Sequence, residues 1–312
     1  MDETFGEVLC DQTHQPVDVF YYSTSCGFGT TEEIWGNGKK YDYLTAKSIS
    51  WIEGWNETEQ IESNRIESDQ NGNQMEKQGN EQKQDYANQK NIEGDTGEEI
   101  NRTTDEITVD DMCNNDAVKK YLSTINTIDI EKKEPWYRWR VQIKKVDMTA
   151  LTKRLQECWL KHPDKVLTWN ENSKQYEDVK IEELHNLQDL QIVKRLKGGV
   201  ADQLLIAADD TFYLITGEQN IRMILSQSGE EVERNDGSKV DTSVLLPSGF
   251  LEVSYQNGTL SILGGGYGHG VGMSQNGASI MAQNGMNEND ILSFFFRKVL
   301  VEQLYEAENI DN

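Results

Sequence analysis

The part of the sequence richest in groups that could do chemistry is residues 264–278, GGGYGHGVGMSQNGA, where His269, Ser274 and Gln275 stand among seven glycines. Glycine has little bulk and easy access to positive φ, so this glycine-rich stretch can turn sharply and let a ligand approach its backbone. Phosphate-binding motifs do not fit, because no Gly-x-Gly-x-x-Gly register is present and no Lys-Ser/Thr pair ends the run. The stretch predicts a tight loop with polar side chains, and the nature of its ligand needs other evidence.

The polar side chains of the glycine-rich stretch each have two interpretations. His269, with an ordinary pKa of about 6.5, suits acid–base work at neutral pH, or it bonds the backbone and is structural. Ser274 is a candidate nucleophile, but no His-Asp arrangement is evident in the sequence, which favours a ligand-contacting or helix-capping hydroxyl. Val271 and Met273 are predicted to anchor the stretch in the core.

A second set of reactive side chains lies near the N-terminus, where Cys10, His14 and Cys26 form a Cys-x3-His-x11-Cys pattern. With Asp11 as a fourth ligand, these residues would satisfy tetrahedral zinc. Two buried thiols, or a Cys10–Cys26 disulfide if the protein is exported, are the alternatives. No other cofactor is predicted.

Three carboxylates are candidate acids, Glu32, Glu33 and Glu218. Glu32 and Glu33 follow a Ser-Thr-Ser sequence and could face a cleft, although a helix start or a surface pair is the simpler interpretation. Glu218 is spaced to pair with Arg222, four residues on, across a short helix.

The composition of the chain limits the kinds of partner that it can bind. The 312-residue chain has a formal net charge of −24, which argues against nucleic acid and against an anionic lipid surface. No run of about 18 apolar residues is present, and the first residues are acidic where a signal peptide would be basic and then apolar. Seven Trp, twelve Tyr and eight Phe supply material for a core.

The elements that must position these residues are mostly strands. GEVLCD and PVDVFYYST predict an N-terminal hairpin, WYRWRVQIKKVD alternates like a strand, and strand-like segments recur from residue 166 to residue 264. MTALTKRLQECWLK has helical spacing, with Leu151, Leu155 and Leu160 on related faces. ASIMAQNG predicts a helix with Gly285 at C′, followed by a helix capped by Asn287 with Asp290 three residues on. The fold class is therefore α+β, a β-rich single domain with a few short helices.

Residues 53–111 differ from the rest of the chain. They contain 17 acidic and 5 basic residues, a net charge of −12 and half of the total. Because apolar residues are sparse, this segment is predicted to be a disordered acidic insertion, with a partner-binding segment as the alternative. The predicted domain thus consists of residues 1–50 and 112–312.

Three stretches together resemble the stage II sporulation protein D / LytB (amidase enhancer) family. The first is GGGYGHGVGMSQNGASIMAQNG, the glycine-rich stretch and the predicted helix after it. It is similar to the family signature Gly-x-Gly-x-Gly-His-Gly-Val-Gly-Met-Ser-Gln-x-Gly-Ala. The other two, supported by WYRWRVQI, are GEVLCDQTHQPVDVFYYSTSCGFGTTEEIWG and TGEQNIRMILS. The likeness covers most of the chain outside the acidic insertion, and its His-containing signature is the specific part.

The resemblance implies a sporulation-associated cell-wall role on the outer face of a membrane. Members of the sporulation branch are peptidoglycan lytic transglycosylases, which cut between N-acetylmuramic acid and N-acetylglucosamine and leave a 1,6-anhydro end during engulfment. They act beside an amidase that first removes the stem peptides, and LytB-type relatives are named as modifiers of that amidase. The expected partners are therefore peptidoglycan glycan strands and a cell-wall amidase.

The residues that the resemblance places at a sugar site come from the glycine-rich stretch and from the Ser-Thr-Ser segment (residues 23–25). Neutral donors and acceptors would hold hydroxyl and N-acetyl groups, and aromatic faces, including Tyr22, would stack on sugar rings. The predicted substrate-binding residues are His269, Ser274, Gln275, Tyr267, Ser23, Thr24 and Ser25.

One part of the family pattern has no counterpart here. The catalytic glutamate of the family lies in a Val-x-x-Glu-Met-Pro-like helix, and nothing in this sequence resembles that motif. We therefore expect a fragment, from a truncated or split gene or a start assigned too far downstream, whose acid and membrane anchor were encoded ahead of Met1. The alternatives for this chain are a non-catalytic amidase modifier or a glycan-binding module.

Overall fold

The computed structural model describes residues 6–51, 107–226, 230–241 and 244–304. The strands are β1 Glu7–Cys10, β2 Tyr21–Tyr22, β3 Phe28–Gly29, β4 Lys47–Ser48, β5 Trp139–Ile143, β6 Val166–Asn170, β7 Gln175–Glu177, β8 Leu187–Arg195, β9 Ala201–Ala208, β10 Thr211–Thr216, β11 Glu231–Arg234, β12 Lys239–Asp241, β13 Leu251–Gln256, β14 Thr259–Gly264, β15 Met273–Ser274 and β16 Leu300–Gln303. The helices are α1 Asn115–Leu122, α2 Met148–Lys161, α3 Glu218–Leu225, α4 Gln275–Gln283 and α5 Glu288–Phe295. This arrangement confirms the β-rich α+β class.

Two five-stranded antiparallel sheets form the framework. One has the order β7-β6-β10-β9-β8 and the other the order β12-β11-β5-β14-β13. Buried and exposed residues alternate along β5 and β14, as expected for strands with one face in a core. A single cluster of buried side chains joins both sheets to α2 and α3, and it includes Leu155, Leu204, Ile221 and Ile262.

Helix α2 has the bounds that its spacing predicted, but its buried face differs in one residue. Leu151, Leu155 and Cys158 are buried, whereas Leu160 is 72% exposed. At 100° per residue, Leu160 lies nine positions and half a turn away from Leu151, so the two cannot share a face. The prediction for Leu160 was wrong, and Cys158 takes its place in the core.

A second core lies under the glycine-rich stretch. Its buried residues come from α1, α4, α5 and the short strands, and include Phe28, Phe250, Val271, Met281 and Phe295. Val271 is thus a core anchor as predicted, and Met273 packs against the same cluster while partly buried.

The predicted ends of the helices around this core are confirmed. Gly285 follows α4 with a φ of 85°, and the side chain of Asn287 accepts a hydrogen bond from the Asp290 N–H at the start of α5.

The N-terminal hairpin forms only in part. The chain turns back after β1, where Cys10 bridges to Pro16 and the Val17 N–H donates to the Leu9 carbonyl. The regular ladder of β1 is made instead with β16, from near the other end of the described chain. Pro16 lacks an N–H, which limits a ladder on that side.

Most of the predicted acidic insertion of residues 53–111, namely residues 53–106, lies outside the described residues. Within the described part, Ile107 and Val109 pack against the second core. No helix of the described residues combines the length and the apolar character needed to cross a bilayer.

Candidate functional site

The glycine-rich stretch and the Ser-Thr-Ser segment meet and are tied together through their backbones. Tyr267 and Thr24 exchange two backbone hydrogen bonds, of 2.8 and 3.2 Å between nitrogen and oxygen. β15 pairs in parallel with β2, and the Asn276 N–H donates to the Ser23 carbonyl at 3.0 Å. Two regions about 240 residues apart in sequence therefore form one junction.

Glycine is required at two points of this junction. Gly272 has a φ of 77°, and a Cβ there would lie 2.1 Å from the Phe20 carbonyl oxygen. Gly266 has a φ of 79°, and a Cβ there would lie 2.9 Å from the Thr24 carbonyl oxygen. The sequence prediction of a sharply turning loop with close backbone approach is confirmed, although the approaching group is the protein's own backbone.

A buried carboxyl group, Glu131, lies at the centre of the junction. It is 1% exposed, and it accepts a hydrogen bond from the Ser274 hydroxyl at 2.7 Å and one from the Ser25 N–H at 3.0 Å. Burial raises its pKa to about 8, with a smaller contribution from Glu134, against the lowering effect of its hydrogen-bond donors. Glu131 therefore keeps a proton at neutral pH.

Two serines of the predicted substrate-binding set bond this buried group, Ser274 through its hydroxyl and Ser25 through its backbone N–H. The Ser274 side chain is fully buried, and its oxygen also accepts the Gly277 N–H at 3.3 Å, which makes Ser274 the N-cap of α4. Ser25 is likewise buried, and its hydroxyl accepts the Gly27 N–H at 2.8 Å. A sugar could reach either hydroxyl only if the junction opened.

His269 is half-buried and held by its neighbours. Its Nδ1 accepts the Val271 N–H at 3.1 Å, and its ring centroid lies 5.9 Å from that of Tyr22 and 6.1 Å from that of Trp35. Burial lowers the pKa of the imidazole, and the positive charge of Arg222 lowers it further. The ring is therefore neutral at pH 7 with its proton on Nε2, the backbone-bonded state that the sequence left open.

The remaining predicted residues lie nearer the surface. Tyr267 and Gln275 are exposed, Ser23 is half-buried, and Thr24 is buried. The Thr24 hydroxyl oxygen accepts a hydrogen bond from the Asn276 amide at 3.0 Å.

Three residues at this surface were missed by sequence reasoning. Trp136 packs against Tyr267 with ring centroids 4.8 Å apart, and the Asn276 amide donates to Glu134 Oε2 at 3.1 Å. Trp136 and Glu134 belong to the segment EPWYRW, of which only the part from Trp136 on contributed to the sequence prediction, as a strand and as support for the family resemblance. Its density of aromatic residues beside a carboxylate was the available signal.

The residues proposed for zinc do not come together. Cys10 is buried in β1, and His14 Nδ1 bonds Glu302. The Cys26 thiol donates to the Phe28 carbonyl, and burial raises its pKa to about 12. No group of three or more metal-binding side chains is found among the described residues, and all four cysteines are free thiols.

The acidic pair after the Ser-Thr-Ser segment begins a short 3-10 helix, Glu32–Trp35, as predicted, but only Glu33 is a surface residue. Glu32 is buried, and its Oε1 accepts the Tyr41 N–H at 3.2 Å. The predicted ion pair of Glu218 and Arg222 is confirmed, with 3.1 Å between Oε2 and Nη1 on α3.

Comparison with known proteins gives one similarity. No protein-family model matches the sequence. The chain is similar to stage II sporulation protein D of Bacillus amyloliquefaciens, with 32% identity over 90 residues. The match covers 24% of this chain and 26% of that protein, so the chain spans about a quarter of the length of the curated relative that it matches.

Proposed function

We propose that this chain is a cell-wall protein of sporulating bacteria that binds the glycan strands of peptidoglycan, outside the cytoplasm, through the junction of the glycine-rich stretch and the Ser-Thr-Ser segment. Two observations support the proposal. The chain is similar to a stage II sporulation protein D. Two of the stretches that carry the family resemblance come from distant parts of the sequence and meet at one place in the fold.

The observation that carries the proposal is the surface of this junction. Tyr267 is 42% exposed, and its backbone is fixed between Gly266 and Gly268 by hydrogen bonds to Thr24. A rigid exposed ring offers an apolar face to the C–H face of a pyranose at a low cost in conformational entropy. The exposed Gln275 side chain is an uncharged donor and acceptor suited to hydroxyl and N-acetyl groups. The amide N–H groups of Asn276 are engaged with Thr24 and Glu134, which leaves its carbonyl oxygen as an acceptor.

Glycan cleavage makes a further demand on the site. A lytic transglycosylase needs a carboxyl that first protonates the glycosidic oxygen and then activates the 6-hydroxyl of the sugar. Glu131 is protonated at neutral pH, but it lies beneath Ser274 with almost no exposed surface. We assign Glu131 a positioning role in the junction, and we propose glycan binding without cleavage as the activity of this chain.

The binding test uses peptide-free glycan strands and two variants of equal chemistry. Tyr267→Ala removes the exposed ring of the junction. The control, Phe212→Ala, removes a ring of the same 42% exposure from β10, in the β7-β6-β10-β9-β8 sheet. We expect Tyr267→Ala to weaken co-sedimentation with the strands about fivefold, the effect of one lost aromatic contact. Phe212→Ala should bind like the parent chain. Equal binding by all three proteins, or by none, would refute the proposed site.

The cleavage test uses the same strands and mass spectrometry of the soluble products. Without an acid that reaches the substrate, we expect no 1,6-anhydro ends above those of a heat-inactivated control. Anhydro products in the native sample would show that this chain supplies its own acid. The non-catalytic alternative, an amidase modifier, predicts retention on an immobilised cell-wall amidase that Tyr267→Ala does not change.

A further inference from the structure

The aromatic pair at the junction, the exposed Tyr267 and the partly buried Trp136, has a cation beside it. The Arg234 guanidinium carbon lies 5.2 Å from the centroid of the Trp136 ring, and Trp136 in turn packs against Tyr267. We propose that Arg234 makes this aromatic platform, Trp136 with Tyr267, selective for glycans whose sugars carry a carboxylate. The proposal rests on the proposed function and adds the charge of the ligand to it.

The hydrogen bonds of Arg234 leave one side of its guanidinium group available. Nε donates to the Ser238 hydroxyl at 2.7 Å, and Asp236 lies 4.0 Å from the same nitrogen. Asp236 itself is engaged with the N–H and hydroxyl of Ser238. Across the described ranges, neither Nη atom of Arg234 has a hydrogen-bond partner. Two Nη atoms, with four N–H donors, therefore remain for a ligand, in the planar geometry that suits a carboxylate.

The position of Arg234 relative to the platform is fixed by the backbone. Arg234 pairs with Trp139 in the β11–β5 ladder, three residues after Trp136. The next residue, Asn235, donates its backbone N–H to the Pro135 carbonyl at 2.9 Å and its side-chain amide to the Lys132 carbonyl at 3.1 Å. These hydrogen bonds hold the backbone next to Arg234 against the segment that carries Trp136, which fixes the position of the cation relative to the ring.

Arg234 also lines a cavity of about 290 Å³, together with Arg138 and Arg140. The other two arginines are committed elsewhere. Arg138 is buried and donates to the carbonyls of Thr124, Cys26, Tyr137 and Tyr121, and Arg140 pairs with Glu233. Among the described residues, Arg140 has a carboxylate bonded to its guanidinium Nη2, whereas Arg234 lines the same cavity, lies over the Trp136 ring and has no carboxylate bonded to its Nη atoms.

The positive charge of Arg234 matters because the chain as a whole is strongly negative. At −24, the chain as a whole repels an acidic polymer, so a carboxylated glycan needs a local positive group to bind well. In peptide-free peptidoglycan strands, the carboxylate is the lactyl group on every muramic acid residue. A sugar stacked on Tyr267 and Trp136 would present such a substituent next to Arg234.

The experiment compares two ligands that differ only in this charge. One is peptide-free glycan strands, and the other is the same strands after reduction of their lactyl carboxylates to alcohols, each titrated by calorimetry at low salt. We expect the parent chain to bind the native strands about fivefold more tightly, the effect of one partly exposed charge pair. Arg234→Gln should bring that ratio close to one, and Arg234→Lys, which keeps the charge, should restore part of it.

Lys153→Gln is the matched control, since it removes one positive charge from an exposed lysine of α2 and should leave the ratio unchanged. The affinity of Arg234→Gln for the reduced strands shows whether that variant is folded. A parent chain that binds both ligands equally, or an Arg234→Gln variant that keeps the full ratio, would overturn this inference while glycan binding stands. Failure of the parent chain to bind either ligand would instead refute the proposed function, and this inference with it.

Discussion

Two buried carboxyl groups, Asp129 and Glu131, lie two residues apart in sequence but have different hydrogen-bond donors around them. Asp129 accepts hydrogen bonds from the hydroxyls of Tyr137 and Ser50 at 2.6 and 2.7 Å, from the Asn126 amide at 2.9 Å, and from Tyr121. Glu131 has one side-chain donor, Ser274, and otherwise backbone N–H groups.

The charges nearby add to this difference. Arg138 lowers the pKa of Asp129, whereas Glu134 raises that of Glu131, on top of the burial that raises both. Four side-chain donors and a nearby cation make the Asp129 site suited to a carboxylate, while the Glu131 site suits a protonated acid. The first site joins α1, through Tyr121, to the segment just before β5, through Tyr137, and the second holds the junction where we place the glycan.

The comparison predicts its largest effect at Asp129. Asp129→Ala removes the acceptor of four side-chain donors and leaves the hydroxyl protons of Tyr121 and Tyr137 without their acceptor in the core, where each lost partner is costly. We expect a loss of about 3–5 kcal/mol in the free energy of unfolding, measured by urea denaturation. Asp129→Asn, which keeps one oxygen acceptor, should lose less. A loss below about 1 kcal/mol for Asp129→Ala would contradict the assignment of this group as the main polar anchor.

The second prediction concerns pH and Glu131. The unfolded chain releases this proton near the ordinary value of 4.5, but the folded protein keeps it to about pH 8. Because the folded state then binds more protons, the contribution of Glu131 to stability falls as pH rises from 4.5 to 8 and is level beyond that. Glu131→Gln has no proton to release and should abolish this fall.

The measurement is urea denaturation of the parent chain and Glu131→Gln at several pH values between 5 and 8. We expect the variant to gain on the parent chain as pH rises, by on the order of a few kcal/mol over this range. A difference that stays constant with pH would show that folding does not raise the pKa of Glu131.

Sequence reasoning succeeded where the determining interactions are local. The bounds of α2, the caps at Gly285 and Asn287, and the pair of Glu218 and Arg222 all depend on residues within four or five positions of one another. Such signals need no knowledge of the rest of the fold.

The interactions that were missed join distant parts of the chain. The ladder of β1 with β16 and the bonds of Glu131 to Ser25 and Ser274 span from 106 to more than 290 residues. Neither the alternation of β1 nor the mixed-charge sequence around Glu131 contains information about those partners. Ser274 was recognised as a capping residue, but the group under it could only be found from the structure.

The smallest predicted losses of stability come from removing a single hydrogen-bond donor to Glu131 or to Asp129. Ser274→Ala removes the only side-chain donor to Glu131 and the N-cap of α4, so we expect a loss of about 1–2 kcal/mol. Ser50→Ala removes one of four side-chain donors to Asp129 at a partly exposed position, and should lose only about 0.5–1 kcal/mol.

The origin of the Ser274 effect can be separated with a double-mutant cycle. If Ser274 acts through Glu131, combining Ser274→Ala with Glu131→Gln should cost less than the sum of the two single losses by about 1 kcal/mol. If it acts only as a cap, the losses should add. Additive losses would leave the Glu131 proton independent of the glycine-rich stretch, and the pH dependence of stability would then say nothing about the state of the junction.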